Sequence, residues 1–86
     1  MADRLRLRIY APERQVVDLE VQAVTAPATL GEIGVLPDHA ALVTSIDPGR
    51  LSYVSGGKQV ALQVGAGFAE IRDNVMTILT DSAQDA

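Results

Sequence analysis

Residues 4–10 read RLRLRIY, an unbroken alternation. In an extended chain Leu5, Leu7 and Ile9 fall on one face, and Arg4, Arg6, Arg8 and Tyr10 on the other, because successive side chains of a strand point in opposite directions. The stretch therefore predicts a half-buried β-strand with one face on a core and one in water. The same period recurs down the chain. Residues 19–25, LEVQAVT, set Leu19, Val21 and Ala23 against Glu20 and Gln22. Residues 58–64, KQVALQV, set Val60, Leu62 and Val64 against Ala61 and Gln63. Residues 75–80, VMTILT, are apolar on both faces and rich in β-branched side chains, which suits a more fully covered strand.

Turn chemistry separates these runs. Ala11-Pro12-Glu13 closes the first. Asp47-Pro48-Gly49 is a compact turn, since proline presets φ and glycine accepts the left-handed conformation. Ser55-Gly56-Gly57-Lys58 and Arg72-Asp73-Asn74 predict tight hairpins. Gly65-Ala66-Gly67 between two runs predicts a bulge. Read as a dinucleotide fingerprint, VGAGFAEI has the wrong spacing and no helix after it. Together these signals predict an all-β fold: a small antiparallel β-sandwich of about 8–10 short strands. Residues 1–86 form one domain on this reading, and the small polar tail at 82–86 is expected to fray.

The totals narrow the function. A chain of 86 residues buries roughly 60% of its unfolded surface, so the core is real but thin. With 48% hydrophobic and 21% charged residues it has an ordinary globular composition. It has no cysteine, which removes disulfides and thiol chemistry. A net charge of -4 with one Phe, two Tyr and no Trp argues against nucleic acid and against a sugar-stacking module. No apolar run approaches the roughly 20 residues that span a bilayer, and residues 1–10 lack the apolar core of a signal peptide. Direct membrane insertion is not expected, and the protein is expected to stay in the compartment where it is made.

One stretch stands apart: residues 31–43, GEIGVLPDHAALV, which hold the single histidine, His39. Asp38 is adjacent to it and in extended chain points away, so it is poorly placed to orient the ring. Ser45 and Ser52 exist, but nothing in the sequence brings a nucleophile to His39. One histidine without cysteine leaves a zinc site short of its usual donors. No catalytic residue, cofactor or metal is predicted. His39 is left as a loop histidine, a structural hydrogen-bonder or a partner contact. Glu32 reads as a loop carboxylate, solvated or in a contact. The arginine stripe Arg4, Arg6 and Arg8 is either a solvated strand face that discourages edge aggregation or a surface for an acidic partner.

Residues 31–49, GEIGVLPDHAALVTSIDPG, resemble the signature G-E-L-G-I-L-P-G-H-A-P-L-L-T-x-L-x-P-G of the epsilon family of rotary proton-translocating ATP synthases, called delta in mitochondria. Gly31, Glu32, Gly34, Leu36, Pro37, His39, Ala40, Leu42, Thr44, Pro48 and Gly49 match. The likeness extends to LRLRIYAPERQVVD and to VGAGFAEIRDNVMTILTDSA, so it covers about residues 4–83. Asp38 stands where the family pattern has Gly, Ala41 where it has Pro, and Ala66 where it has Gly.

The resemblance implies a non-catalytic subunit of the central stalk, a β-sandwich that couples the gamma subunit to the membrane ring of c subunits during proton-driven ATP synthesis. It implies a peripheral position on the cytoplasmic face of the bacterial inner membrane. By match, Glu32 and His39 are expected to face the c-ring together at one exposed end, and Leu42 and Thr44 to face gamma. The family continues into a two-helix C-terminal domain that brakes rotation in the hydrolysis direction. The sequence stops at Ala86, as either a naturally short form or a truncated piece of a longer chain; a natural short form that couples without braking is the expectation. The alternative reading is a free-standing β-sandwich that binds a small ligand.

Overall fold

A computed structural model describes residues 4–86, and every regular element in it is a strand. In chain order these are β1 (Leu5–Ala11), β2 (Arg14–Val21), β3 (Ala23–Ala28), β4 (Gly31–Val35), β5 (Leu42–Ile46), β6 (Gly49–Ser55), β7 (Lys58–Val64), β8 (Gly67–Arg72), β9 (Val75–Thr80) and β10 (Ala83–Asp85). The pairing forms two layers. One runs β4-β3-β6-β7-β10 and the other β5-β8-β9-β1-β2. They touch along the hydrogen-bond path at a single pair, Ala28 opposite Ile46. All pairs are antiparallel except β1 with β9, which run parallel over Arg6–Tyr10. That parallel pair joins residues far apart in sequence, so no hairpin signal announces it.

The core lies between the layers. Leu5, Leu7 and Ile9 of β1 are completely buried, as the alternation at 4–10 predicts. They meet Val24, Val35, Ile46, Leu51, Ile71, Met76 and Ile78. Each such side chain contributes roughly 1.5–3 kcal/mol on burial. The alternation slips once. Val21 is buried, Gln22 is a bend, and then Val24 and Ala26 point inward in place of the expected Ala23. At Gln22 the chain leaves one layer for the other, and its amide is held by the Val54 carbonyl at 2.7 Å. A strand that changes layers must change which parity faces the core.

Residues 65–66 and 81–82 make a second crossing between the layers, and they make it side by side. The Gly65 amide donates to the Ser82 carbonyl (2.9 Å), and the Asp81 amide to the Ala66 carbonyl (3.0 Å). Beneath them sits Thr80, the one buried polar side chain among the described residues. Its hydroxyl lies 2.9 Å from the Ser82 carbonyl and 3.0 Å from that of Gly65. A Cβ on Gly67 would sit 1.9 Å from the Leu79 carbonyl oxygen, so this strand start admits no side chain. The expected bulge is thus a corner at which two strands change sheets together. The expected frayed tail is also corrected. The corner aims residues 83–85 along the free edge of β7, where they pair as β10. Ala83 is buried, and its carbonyl accepts a hydrogen bond from Arg14 at 2.9 Å.

The two predicted hairpins form as expected, whereas Asp47-Pro48-Gly49 is a bend without left-handed geometry, with Gly49 opening β6. Gly56 and Gly57 both have positive φ (59° and 77°), as do Asp73 and Asn74 (53° and 61°), the signature of two-residue hairpins that match strand twist. On the outer face of β1 and β2 the arginine stripe meets its own counter-charge. Arg6 Nε donates to Asp18 at 2.6 Å, and Arg8 lies 3.6 Å from the same carboxylate. The pair is a solvent-exposed cross-strand contact, so it resembles a stabilised sheet face more than a free basic patch.

Two measurements probe these contacts. Thr80→Val keeps the shape but strips the corner of its hydroxyl; it should cost about 1–3 kcal/mol in urea unfolding, while Thr80→Ser retains most of the stability. The Asp18 carboxyl is held below the usual aspartate range, chiefly by its hydrogen bond from Arg6. A lowered folded-state value means stabilisation that is present above the unfolded pKa, about 4, and lost as pH falls through the folded value. Asp18→Asn should therefore flatten the acid limb of the stability profile below about pH 4 and leave its neutral plateau shaped as before.

Candidate functional site

The stretch at 31–43 is not one loop. Gly31–Val35 forms β4, an edge strand paired to β3 with Glu32 opposite Pro27 and Val35 opposite Val24. Glu32 is exposed on that edge, so the loop placement expected for it is corrected. Two glycines in five residues hide the strand from a propensity reading. Only residues 36–41 are irregular, and they carry Pro37, Asp38 and His39.

Because β4 is extended, it separates two residues expected to sit together at one exposed end. Glu32 lies beside the β3–β4 turn, near where Ala28 meets Ile46. His39 lies in a shallow depression with Asp38, Ala41, Arg72, Asp73 and Asn74, near where Leu42 meets Ile71. These junctions are the two ends of β5, about 13 Å apart at ~3.3 Å per residue. They share the β4 margin of the sandwich and do not share a contact point. His39 is half-buried, with Nδ1 2.6 Å from the Ala40 carbonyl oxygen. No group of three metal-ligating side chains gathers among the described residues. Every buried side-chain polar atom described there has a hydrogen-bond partner, so none is left aimed at a ligand.

The loop is fastened to the body. The Asp38 amide donates to Asn74 Oδ1 at 2.6 Å, and Asn74 Nδ2 donates back to Asp38 Oδ1 at 3.0 Å. Asn74 also accepts the Arg6 amide through its backbone carbonyl at 2.9 Å.

On β5, Leu42 is at the margin of exposure and Thr44 is half-buried, on the same side as the buried Ile46. The residue that faces outward between them is Val43, 69% exposed. It adjoins Phe68 on β8 (62% exposed) and Leu79 on β9 (55% exposed). Phe68 lies directly opposite Leu79, and Val43 is diagonal to Phe68 across the β5–β8 pair. The three form an apolar cluster with Ala69, Glu70 and Thr77 around it. Leu79 belongs to the run at 75–80 whose two apolar faces predicted full cover; one of those faces is open. The signal for this cluster lay in that double-faced run and in the parity of L-V-T-S-I at 42–46, which sends Val43 away from Ile46.

Known proteins share both sequence and fold. The family described as the beta-sandwich domain of the ATP synthase Delta/Epsilon chain matches residues 4–86. The chain is 42% identical over 84 residues to the ATP synthase epsilon chain of Carboxydothermus hydrogenoformans, a match that covers 98% of this chain and 63% of the relative. It is 45% identical over 85 residues to that of Desulfosudis oleivorans, covering 98% and 64%. The chain thus spans less than two thirds of the length of these curated relatives. Among solved structures, a chain of the Euglena gracilis mitochondrial ATP synthase superposes with a TM-score of 0.92 at 28% identity, covering 99% of this chain and 55% of that one. A chain of the Tetrahymena thermophila ATP synthase central stalk and c-ring superposes at 0.82 with 15% identity, covering 94% and 66%, a likeness of fold alone. On the match across its sandwich and the identity to bacterial relatives, the chain belongs to the ATP synthase epsilon family.

Proposed function

We propose that this sandwich is a non-catalytic coupling body of a bacterial ATP synthase rotor, with residues 1–86 forming one domain. Its outer β5-β8-β9 face docks the gamma subunit, and its β4 margin, from Glu32 to His39, rests on the c-ring. The observation that carries this reading is the exposed cluster of Val43, Phe68 and Leu79 on three adjacent strands. A small sheet face offering a bulky aromatic and two aliphatic side chains to water is the kind of surface that a protein partner covers. Leu42 borders this surface, while Thr44 supports it from the core side. The names of the similar structures, which include central-stalk and c-ring assemblies, support the same partners.

The two contacts differ in chemistry. The gamma-facing cluster is apolar and central on its sheet. The β4 margin is mixed, with exposed Glu32, half-buried His39 and two glycines alongside the exposed Leu30 and Leu36 at either end of the strand. In this role the protein sits peripherally at the cytoplasmic face of the inner membrane and contributes no bond-making step. A sandwich pinned at two corners transmits torque by stiffness alone, and its functional residues lie on the loops and faces of a rigid scaffold.

Phe68→Ala should weaken binding to the gamma subunit of the same organism by roughly 30-fold, as expected of a central aromatic anchor worth about 2 kcal/mol. Its melting temperature should stay near that of the parent, since the side chain is solvent-exposed. Undiminished affinity in titration calorimetry would remove the outer face from the interface. The double substitution Glu32→Ala with His39→Ala should reduce ATP-driven proton pumping in reconstituted vesicles modestly, because exposed polar contacts are each worth about 0–1 kcal/mol. A melting temperature that falls by many degrees would instead assign these two residues to the scaffold.

A further inference from the structure

The loop at 36–41 holds an unusual backbone position. Asp38 has φ +64°, in the left-handed region where a side chain normally costs about 1 kcal/mol or more. Opposite it, Asn74 has φ +61°. Left-handed geometry turns each short polar side chain back toward the other, and two hydrogen bonds close between them, from the Asp38 amide to Asn74 Oδ1 and from Asn74 Nδ2 to Asp38 Oδ1. The residues are 36 positions apart, on different connections of the fold. Asn74 is in turn fixed to β1 through the Arg6 amide and sits in a two-residue hairpin turn between paired Arg72 and Val75. The loop therefore hangs from a hairpin turn that is itself held to β1.

We infer that Asp38 and Asn74 form a side-chain clamp that sets the position of residues 36–41 and so presents His39 for docking; this rests on the c-ring reading of the β4 margin given above. Neither residue is needed as a contact in this scheme. Both act as positioning residues by removing the freedom of a six-residue connection before a partner arrives. A docking loop that is ordered in advance avoids the entropy of ordering it on binding.

The clamp separates cleanly from the turn conformations, because glycine takes left-handed φ without a side chain. Asn74→Gly keeps the hairpin turn and the Arg6 contact and removes both clamp bonds. Asp38→Gly keeps the loop backbone and removes only the carboxylate. Asp38→Asn leaves an oxygen that accepts from Asn74 and should restore the parental behaviour.

The experiment is amide exchange by NMR on the 86-residue chain, followed by binding to a purified c-ring from the same organism. In Asn74→Gly the Asp38 amide should exchange roughly 5- to 10-fold faster, and ring affinity should fall by about three- to tenfold. Asp38→Gly should show the smaller change on both counts, and Asp38→Asn should match the parent. An Asp38 amide that exchanges at the parental rate in Asn74→Gly would overturn the clamp. Faster exchange with parental affinity would overturn its positioning role. If Asn74→Gly fails to fold, Asp38→Gly decides the same question through loss of slowed exchange at the Asn74 side-chain amide. A parental chain that ignores the ring would sink the docking reading and the positioning role with it, while the exchange rates still decide whether the clamp exists.

Discussion

Two strand connections change sheets at the same corner, and a single buried hydroxyl serves both. The Thr80 side chain faces the carbonyls of Gly65 and Ser82, where residues 65–66 leave the β7 layer and residues 81–82 return to it. The layers otherwise meet along the hydrogen-bond path only at Ala28 and Ile46. A sandwich of this size without disulfides has few ways to fix one sheet on the other. Packing of the core supplies attraction, but attraction between apolar faces is not directional. The corner supplies direction. Gly67 lets the backbone come against the Leu79 carbonyl, and the Thr80 hydroxyl adds a donor beside the Gly65 and Ser82 carbonyls. β10 exists because the corner delivers it to the edge of β7.

That rigidity leaves the outer faces free to specialise. On β1 and β2 the outward row is charged and internally neutralised, with Asp18 shared by Arg6 and Arg8. Along the same sheet the outward row changes to Phe68 and Leu79, with Tyr10 next to Leu79 on β1. One five-stranded sheet thus carries a self-satisfied polar half and an unsatisfied apolar half. The contrast sets the apolar half apart: isolated exposed hydrophobic residues are common, but a contiguous group beside a neutralised charge network is the kind of surface the proposed partner would cover.

Much of this was legible in the sequence. The alternation at 4–10 and 58–64, the turns at Gly56-Gly57 and Asp73-Asn74, and the family likeness of residues 31–49 each depend on neighbours in the chain, where patterns can be read. What escaped depends on distant residues. The parity slip at Gln22 follows from a carbonyl on Val54, and β10 follows from a corner at 65–66. β4 was hidden by its glycines, and Glu32 was misplaced with it. The parallel pairing of β1 with β9 has no local mark at all. At the proposed site, Leu42 and Thr44 came from a motif match, whereas Val43, Phe68 and Leu79 needed knowledge of which face each strand turns outward. Parity within a strand is readable; which parity is covered from outside is not.

The two proposed contacts make different demands on the scaffold. An apolar patch on a sheet tolerates small errors of orientation, because dispersion and area burial are forgiving of angle. The polar contacts of the mixed β4 margin do not, because hydrogen bonds weaken steeply when misaligned. In the structure the apolar cluster lies on strands held by regular ladders alone, while the margin's only irregular segment is fastened by two side-chain hydrogen bonds at a left-handed residue. The fold places its extra restraint where the contact is directional and omits it where the contact is not. On the proposed rotor role, that distribution suits a body transmitting torque between an apolar seat and a mixed margin that carries the polar contacts. Slack in the loop would be taken up before any force reached the sheet, whereas slack in the apolar seat is removed by packing itself.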